Sequence, residues 1–193
     1  MTDADPDTPD PGADEPGAHK PGADKPRPTG PRRPPIVELT GSPWSTAPGA
    51  AILKVDLAGT VALAAVTLLA SVWETAATDI VNLVVSGVLF VGGFVAFFLG
   101  FVPAANRSRT ELVDLAGLFY LTGSAPRAVR RVLLGLWFAQ IAIAAASVVA
   151  VQPPFGVMAP VWGIGLLPLW AARYGVFPPR PLPDGPGRRS RPQ

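Results

Sequence analysis

The chain has 193 residues, 49% of them apolar and only 16% charged, a formal net charge of +2 and no cysteine. The missing cysteines exclude disulfide staples and thiolate-held metals, so hydrophobic packing or a bilayer has to stabilise the fold. The apolar side chains are segregated: residues 1–35 carry almost none of the large ones, whereas 57–105 and 132–172 are nearly saturated, a distribution unlike that of a soluble domain.

Residues 1–46 read as a disordered tail. Five-residue units repeat in register, PGADE, PGAHK and PGADK from Pro11 to Lys25, followed by PRPTG and PRRPP. Proline at every fifth position fixes φ and biases the preceding residue away from helix, and few side chains here can offset the entropy of ordering. Charge runs from acidic (Asp3 to Glu15) to basic (Arg27, Arg32, Arg33) toward the apolar body. Such a tail is either simply solvated or carries a motif for a protein partner. A secretory signal peptide is not expected, because the opening is rich in aspartate and the apolar runs begin beyond residue 50. Thirteen Arg against three Lys, with abundant Ala, Gly, Pro and Val, fit a GC-rich bacterial genome.

Four apolar segments follow, at about 52–73, 80–104, 130–151 and 156–173. Crossing roughly 30 Å of hydrocarbon takes about 20 helical residues, so each qualifies as a span. The second has no charged side chain between Asp79 and Arg107. The first contains Asp56 and the fourth Pro160 and Pro168, whose freed backbone groups neighbouring helices can satisfy. Glu74 to Asp79 (ETAATD) and Gln152-Pro153-Pro154 read as tight hairpins. Ser124, just before Pro126, marks the start of span three, and Gly175 the end of span four. The expected fold is an all-α membrane protein, a bundle of four transmembrane helices over 47–177 between the disordered N-terminal tail and a disordered basic tail at 178–193.

All sixteen Lys and Arg residues lie in the N-terminal tail, at Lys54, in the 107–131 connector, or from Arg173 onward. Positive charge beside span ends stays in the cytoplasm, so a multi-pass plasma-membrane protein with both termini and the connector cytoplasmic is expected. Within the connector, Ser108 to Glu111 matches an S-x-x-E capping box, and Leu112, Leu115, Ala116 and Phe119 recur at helical spacing. These predict a short amphipathic helix over about 108–122, ended by Gly123 and lying at the cytoplasmic interface between spans two and three. Arg107, Arg109, Arg127, Arg130 and Arg131 are candidate contacts to anionic headgroups of the lipid bilayer, each worth about 1 kcal/mol there. The plainer alternative is that they only orient and anchor the bundle.

Small residues let helices approach closely in lipid. Gly92, Ala96, Gly100 and Ala104 form such a ladder on span two, with Ala142, Ala146 and Ala150 of span three and Ala58 and Ala62 of span one as partners. Trp73, Trp170 and Tyr174 suit aromatic belts. The candidate intramembrane polar residues are Asp56, Asn82, Ser86 and Gln140. Gln140, nine residues past Arg131, should lie near mid-membrane and bond a carbonyl or Ser86. Asp56, about a turn from the inner end, either pairs with Lys54, Arg107 or Arg131 or serves as a proton or cation site.

The stretch RSRTELVDLAGLFYLTGSAPRAVRR, residues 107–131, resembles the connector of small, uncharacterised four-helix membrane proteins of actinobacteria, and the likeness in layout extends over about 50–178. It implies that fold and brings no activity, cofactor or catalytic residue with it. The residues themselves agree: His19, the only histidine, sits in the repeats, and no metal cluster, phosphate loop or nucleophile elbow is present. Gly92-Gly93 follows no strand and is no nucleotide fingerprint. No aromatic platform interleaves with the basic tails, so nucleic acid is not expected as a partner. Two classes of function stay open. One is a noncatalytic scaffold or regulatory subunit that meets a partner protein through the tail or connector helix. The other is a small transporter or proton-coupled permease using Asp56 and Gln140.

Overall fold

The computed structural model describes residues 34–151 and 155–181. The expected disorder of 1–33 and 182–193 and the Gln152-Pro153-Pro154 break lie outside the described residues. In chain order the helices are α1 (Pro43–Thr46), α2 (Ala50–Val72), α3 (Ala76–Arg107), α4 (Leu115–Phe119), α5 (Arg127–Ala150) and α6 (Val161–Tyr174), with a 3-10 turn at Phe155–Met158 leading into α6. Four helical segments, α2, α3, α5 and the 20-residue run Phe155–Tyr174, are long and apolar enough to cross a membrane. Polarity is inverted relative to a water-soluble protein. Val84, Val88, Val91, Phe94, Val95 and Phe98 face outward, while Asp56, Asn82, Ser86 and Gln140 are buried. Apolar side chains outside and polar groups inside is the arrangement that a hydrocarbon solvent selects.

The α2–α3 hairpin is tighter than ETAATD suggested. Thr75 and Thr78 cap α3 reciprocally: the Thr78 N–H donates to Thr75 Oγ1 at 3.3 Å and the Thr75 N–H to Thr78 Oγ1 at 3.1 Å. This threonine version of a capping box starts the helix at Ala76, inside the expected turn. At 32 residues α3 is about 48 Å long, well beyond the roughly 30 Å of hydrocarbon that a span has to cross.

Span four, the shortest and richest in proline, is the centre of the bundle. Of its apolar window 61% is buried, against 22–33% for the other three. Its main neighbour is α3, and the two meet backbone to backbone. A Cβ on Gly93 would lie 2.5 Å from the Trp162 backbone nitrogen, one on Gly100 would lie 2.5 Å from the Pro168 carbonyl carbon, and one on Gly165 would strike the Gly93 carbonyl. Only hydrogen fits at these three positions, and the close approach brings main-chain atoms into dispersion contact.

The expected ladder is therefore shifted and its partner differs. Ala96, Gly100 and Ala104 are buried as anticipated, but Gly93 takes the place of Gly92, which is half-buried beneath the Trp162 indole. The partner is α6, while Ala142, Ala146 and Ala150 of α5 are exposed.

At the end of the bundle that carries the connector and both chain tails, here called the basic end, three segments close a cap. Ala47, Leu118, Leu121, Ala125 and Phe177 join Leu53, Val129, Leu133, Leu167 and Trp170 in one apolar cluster, with Leu39 and Trp44 packed against it. The ordered chain therefore includes residues assigned above to the tail. The segment after α6 is laced to the connector by backbone bonds, Leu112 N–H to Pro178 O (2.8 Å), Val176 N–H to Ser124 O (2.9 Å) and Arg180 N–H to Thr110 O (2.8 Å).

A short connector helix is present but covers only Leu115–Phe119, not 108–122. Ser108 ends α3 instead of opening a new helix, and its hydroxyl donates to Ala105 O at 2.6 Å. Glu111 is taken by Arg107 at 2.7 Å, so the expected capping box does not form. Asp114 caps α4 instead, accepting from the Gly117 N–H at 3.2 Å. Gly123 does adopt the left-handed conformation (φ 66°), but beyond the helix end. Ser124 does not cap α5; its hydroxyl bonds the Gly117 carbonyl. Trp170 is buried, donating to Pro48 O at 3.0 Å, and so leaves the expected belt, whereas Trp73 is exposed.

Candidate functional site

The buried face of α2 repeats Leu53, Asp56, Thr60, Leu63, Thr67 and Ala70 at three- and four-residue steps, which puts a polar stripe inside the bundle. Asp56 and Thr60 are one turn apart, and the Thr60 hydroxyl donates to the Asp56 backbone carbonyl at 2.8 Å. From α5, Gln140 Nε2 reaches across to Asp56 Oδ1 (2.9 Å) and Thr60 Oγ1 (2.7 Å). Its Oε1 accepts the Gly163 backbone N–H of α6 at 2.9 Å. Both amide hydrogens and the carbonyl of Gln140 are thus used, which fixes the orientation of the amide.

The Gly163 N–H is free for this bond because span four is interrupted. The chain turns at Ala159-Pro160, and α6 begins at Val161, inside the apolar segment. The first N–H groups of a helix have no intrahelical acceptor and carry the positive end of its dipole. One of them meets Gln140, which in turn holds Asp56.

Two groups of this network remain unsatisfied. Asp56 is fully buried, yet among the described residues its Oδ2 has no hydrogen-bond partner, and neither does the Trp162 indole N–H, which lies over Gly59. Of the two alternatives for Asp56, pairing with Lys54, Arg107 or Arg131 is not seen among the described residues, and the carboxyl meets the Gln140 amide. Lys54 is two residues away and so about 200° around α2. Arg107 is consumed elsewhere, by Glu111, by the carbonyls of Ala172 (2.8 Å) and Gly175 (3.2 Å), and by the Phe177 ring at 5.3 Å.

A second polar layer lies nearer the opposite end. Ser86 Oγ bonds Asn82 Oδ1 at 3.4 Å on α3, not Gln140. Thr67 and Ser147 flank Gly156, where an added Cβ would come within 2.7 Å of Ser147 Oγ. Thr67 Oγ1 and Asn82 Nδ2 are buried without a partner among the described residues. Between the two layers Leu63, Leu89 and Ala159 form an apolar plug together with Val85, Ile143 and Trp162. Thr60, Thr67, Ser147 and Gly163 were not singled out from the sequence. The turn spacing from Asp56 and from Gln140 was the signal for the first three, whereas the role of Gly163 depends on the helix break.

The five candidate lipid-contact arginines separate into groups. Arg107 is an internal clasp, as above, and is withdrawn from lipid contact by its four protein partners. Arg109 is exposed at the α3 terminus. Arg127, Arg130 and Arg131 gather with Leu134 around one shallow cavity. There the Arg127 backbone N–H donates to Glu38 at 3.1 Å, and Arg130 Nε donates to the Tyr120 carbonyl at 3.0 Å. No protein-family model, no curated protein and no solved structure matches this chain.

Proposed function

We propose that this chain is a small multi-pass transporter of the bacterial plasma membrane, coupled to protons, in which the Asp56 carboxyl takes up and releases the proton and Gln140 holds it in place. One observation carries the reading: Asp56 is fully buried in a span, and its Oδ2 has no partner among the described residues. Carboxyl groups at such depth are costly and are kept where a proton or cation passes. The interruption of span four supports it, because discontinuous helices whose N-termini face polar groups at mid-membrane are a recurring device of transporters. A proton reaching Asp56 from the far end passes the Thr67, Ser147 and Asn82 layer and then the Leu63–Leu89 plug. That plug is closed in this conformation, so the cycle requires a second arrangement of α6 against α2 and α3.

The charge distribution supports a topology with both tails and the connector in the cytoplasm, which places the second polar layer on the outer side. The test is reconstitution of the full chain in liposomes with a trapped pH-sensitive dye. Under an imposed inside-negative potential the wild type should acidify the lumen. Asp56→Asn, which keeps an acceptor for Gln140, should lose at least about tenfold of that rate. Equal rates in the two proteins would sink the reading.

The cap of three laced segments at the basic end favours a second reading, a scaffold that presents its tails to a partner protein. A wild type with no flux that copurifies with a partner from gently solubilised membranes would decide for it.

A further inference from the structure

We infer that the bundle binds one anionic phospholipid in a cleft between α4, α5 and α6, with its phosphate on Arg130 and Arg131, beside Arg127, whose guanidinium is paired with Glu38 at 3.9 Å, and an acyl chain along Trp137. The inference does not depend on Asp56 and concerns a different part of the molecule.

Leu115, Ala116, Phe119 and Tyr120 of the α4 region face Trp137 of α5 and Ile164 and Leu167 of α6 across a cavity of about 310 Å³. That volume is at the lower limit for a small-molecule site and suits a stretch of chain rather than a whole lipid. The lining is almost wholly apolar, and the cleft is open at its edge, where Leu115 is 70% and Tyr120 53% exposed.

On α5, Arg130, Leu134 and Trp137 stand at i, i+4 and i+7 and so share one face. That face joins the arginine cavity to the apolar cleft, since Leu134 lines the first and Trp137 the second. Trp137 lies about 9 Å further along the helix axis than Arg131. The site is therefore basic at the bundle end and apolar toward the membrane interior, the charge and polarity profile of an anionic lipid entering from that leaflet.

Arg130 is already positioned. Its Nε is spent on the Tyr120 carbonyl, which fixes the guanidinium at the mouth of the cleft, and its terminal nitrogens have no partner among the described residues. Guanidinium suits phosphate by its planar, multidentate donor set. Neutral choline lipid offers the same chains without net charge, and free phosphate offers the charge without the chains.

The full chain, purified in mild detergent, is examined by native mass spectrometry with dioleoyl phosphatidylglycerol, dioleoyl phosphatidylcholine or inorganic phosphate added. The wild type should retain one phosphatidylglycerol in preference to phosphatidylcholine. Arg130→Gln with Arg131→Gln should lower that retention about tenfold, and Ala116→Leu, which narrows the cleft without touching charge, should lower it as well. If Ala116→Leu does not fold, Leu115→Ala replaces it and should weaken retention through lost chain contact. Equal retention of the two lipids, full competition by inorganic phosphate, or retention unaffected by the cleft variant would each overturn the inference.

Discussion

Gln140 joins three helices with one side chain, and its amide is the single group that reconciles Asp56, Thr60 and the free N–H of Gly163. Replacing it with leucine leaves those groups without their partner in a low-dielectric interior, where each orphan costs about 1–3 kcal/mol. Gln140→Leu should therefore lower the thermal stability of the solubilised protein markedly. Thr67 is the opposite case, a buried hydroxyl with no partner, so Thr67→Val removes a penalty and should be neutral or stabilising in the same assay. Asp56 and Gln140 were conspicuous in the sequence as polar residues within apolar runs, but their meeting was not. Counting from the inner end of each span puts them at different depths. Gln140 is thirteen residues into α5 and Asp56 six into α2, so α5 begins about two turns outside α2. Such axial offsets come from tertiary packing, which span-by-span counting cannot contain.

Between elements, the α3–α6 crossing carries the closest contacts in the molecule. Gly93→Ala would press a methyl group into the Trp162 backbone, and overpacking of this kind costs about 1–3 kcal/mol. Gly135, within α5, has nothing near its missing Cβ, so Gly135→Ala should gain about 0.5–1 kcal/mol from reduced backbone freedom in the unfolded chain. Opposite shifts in melting temperature by circular dichroism are the expected outcome, and two shifts of the same sign would contradict the crossing. The four-residue spacing is readable in the sequence; Ala96, Gly100 and Ala104 are buried, and Gly93 rather than Gly92 continues the row. Its partner was misread because exposed alanines in α5 share the same spacing and because the Gly163-x-Gly165 pair was overlooked. The connector helix is present but shorter than its pattern suggests, for a related reason. Ser108 and Glu111 satisfy the letter of a capping box, yet α3 continues through Arg107, and a charged partner within one turn outcompetes a backbone N–H for Glu111.

For the whole molecule, the four-span layout was legible because hydrocarbon thickness sets a length that composition alone can test. Reporter fusions after Gly123 and after Thr75 should report from opposite sides of the membrane, and the same signal from both would contradict the four-span topology. The rank of the spans was not legible. Segment four is interrupted at Pro160, carries Pro168 within α6 and is the least apolar of the four, so it reads as the weakest span, yet it is the most enclosed. Its glycines and its break are what a helix ringed by others requires, with thin walls for close approach and a free N–H for Gln140.

That centrality has a bearing on biogenesis. Ribosomes deliver helices in order, and the axle of this bundle is the last of the four to emerge. Until it does, the glycine face of α3 and the Gln140 carbonyl of α5 lack the partners that α6 supplies. Assembly is then a final docking event rather than stepwise accretion, and a nascent chain stalled before Val161 would be a substrate for membrane proteases and insertion chaperones.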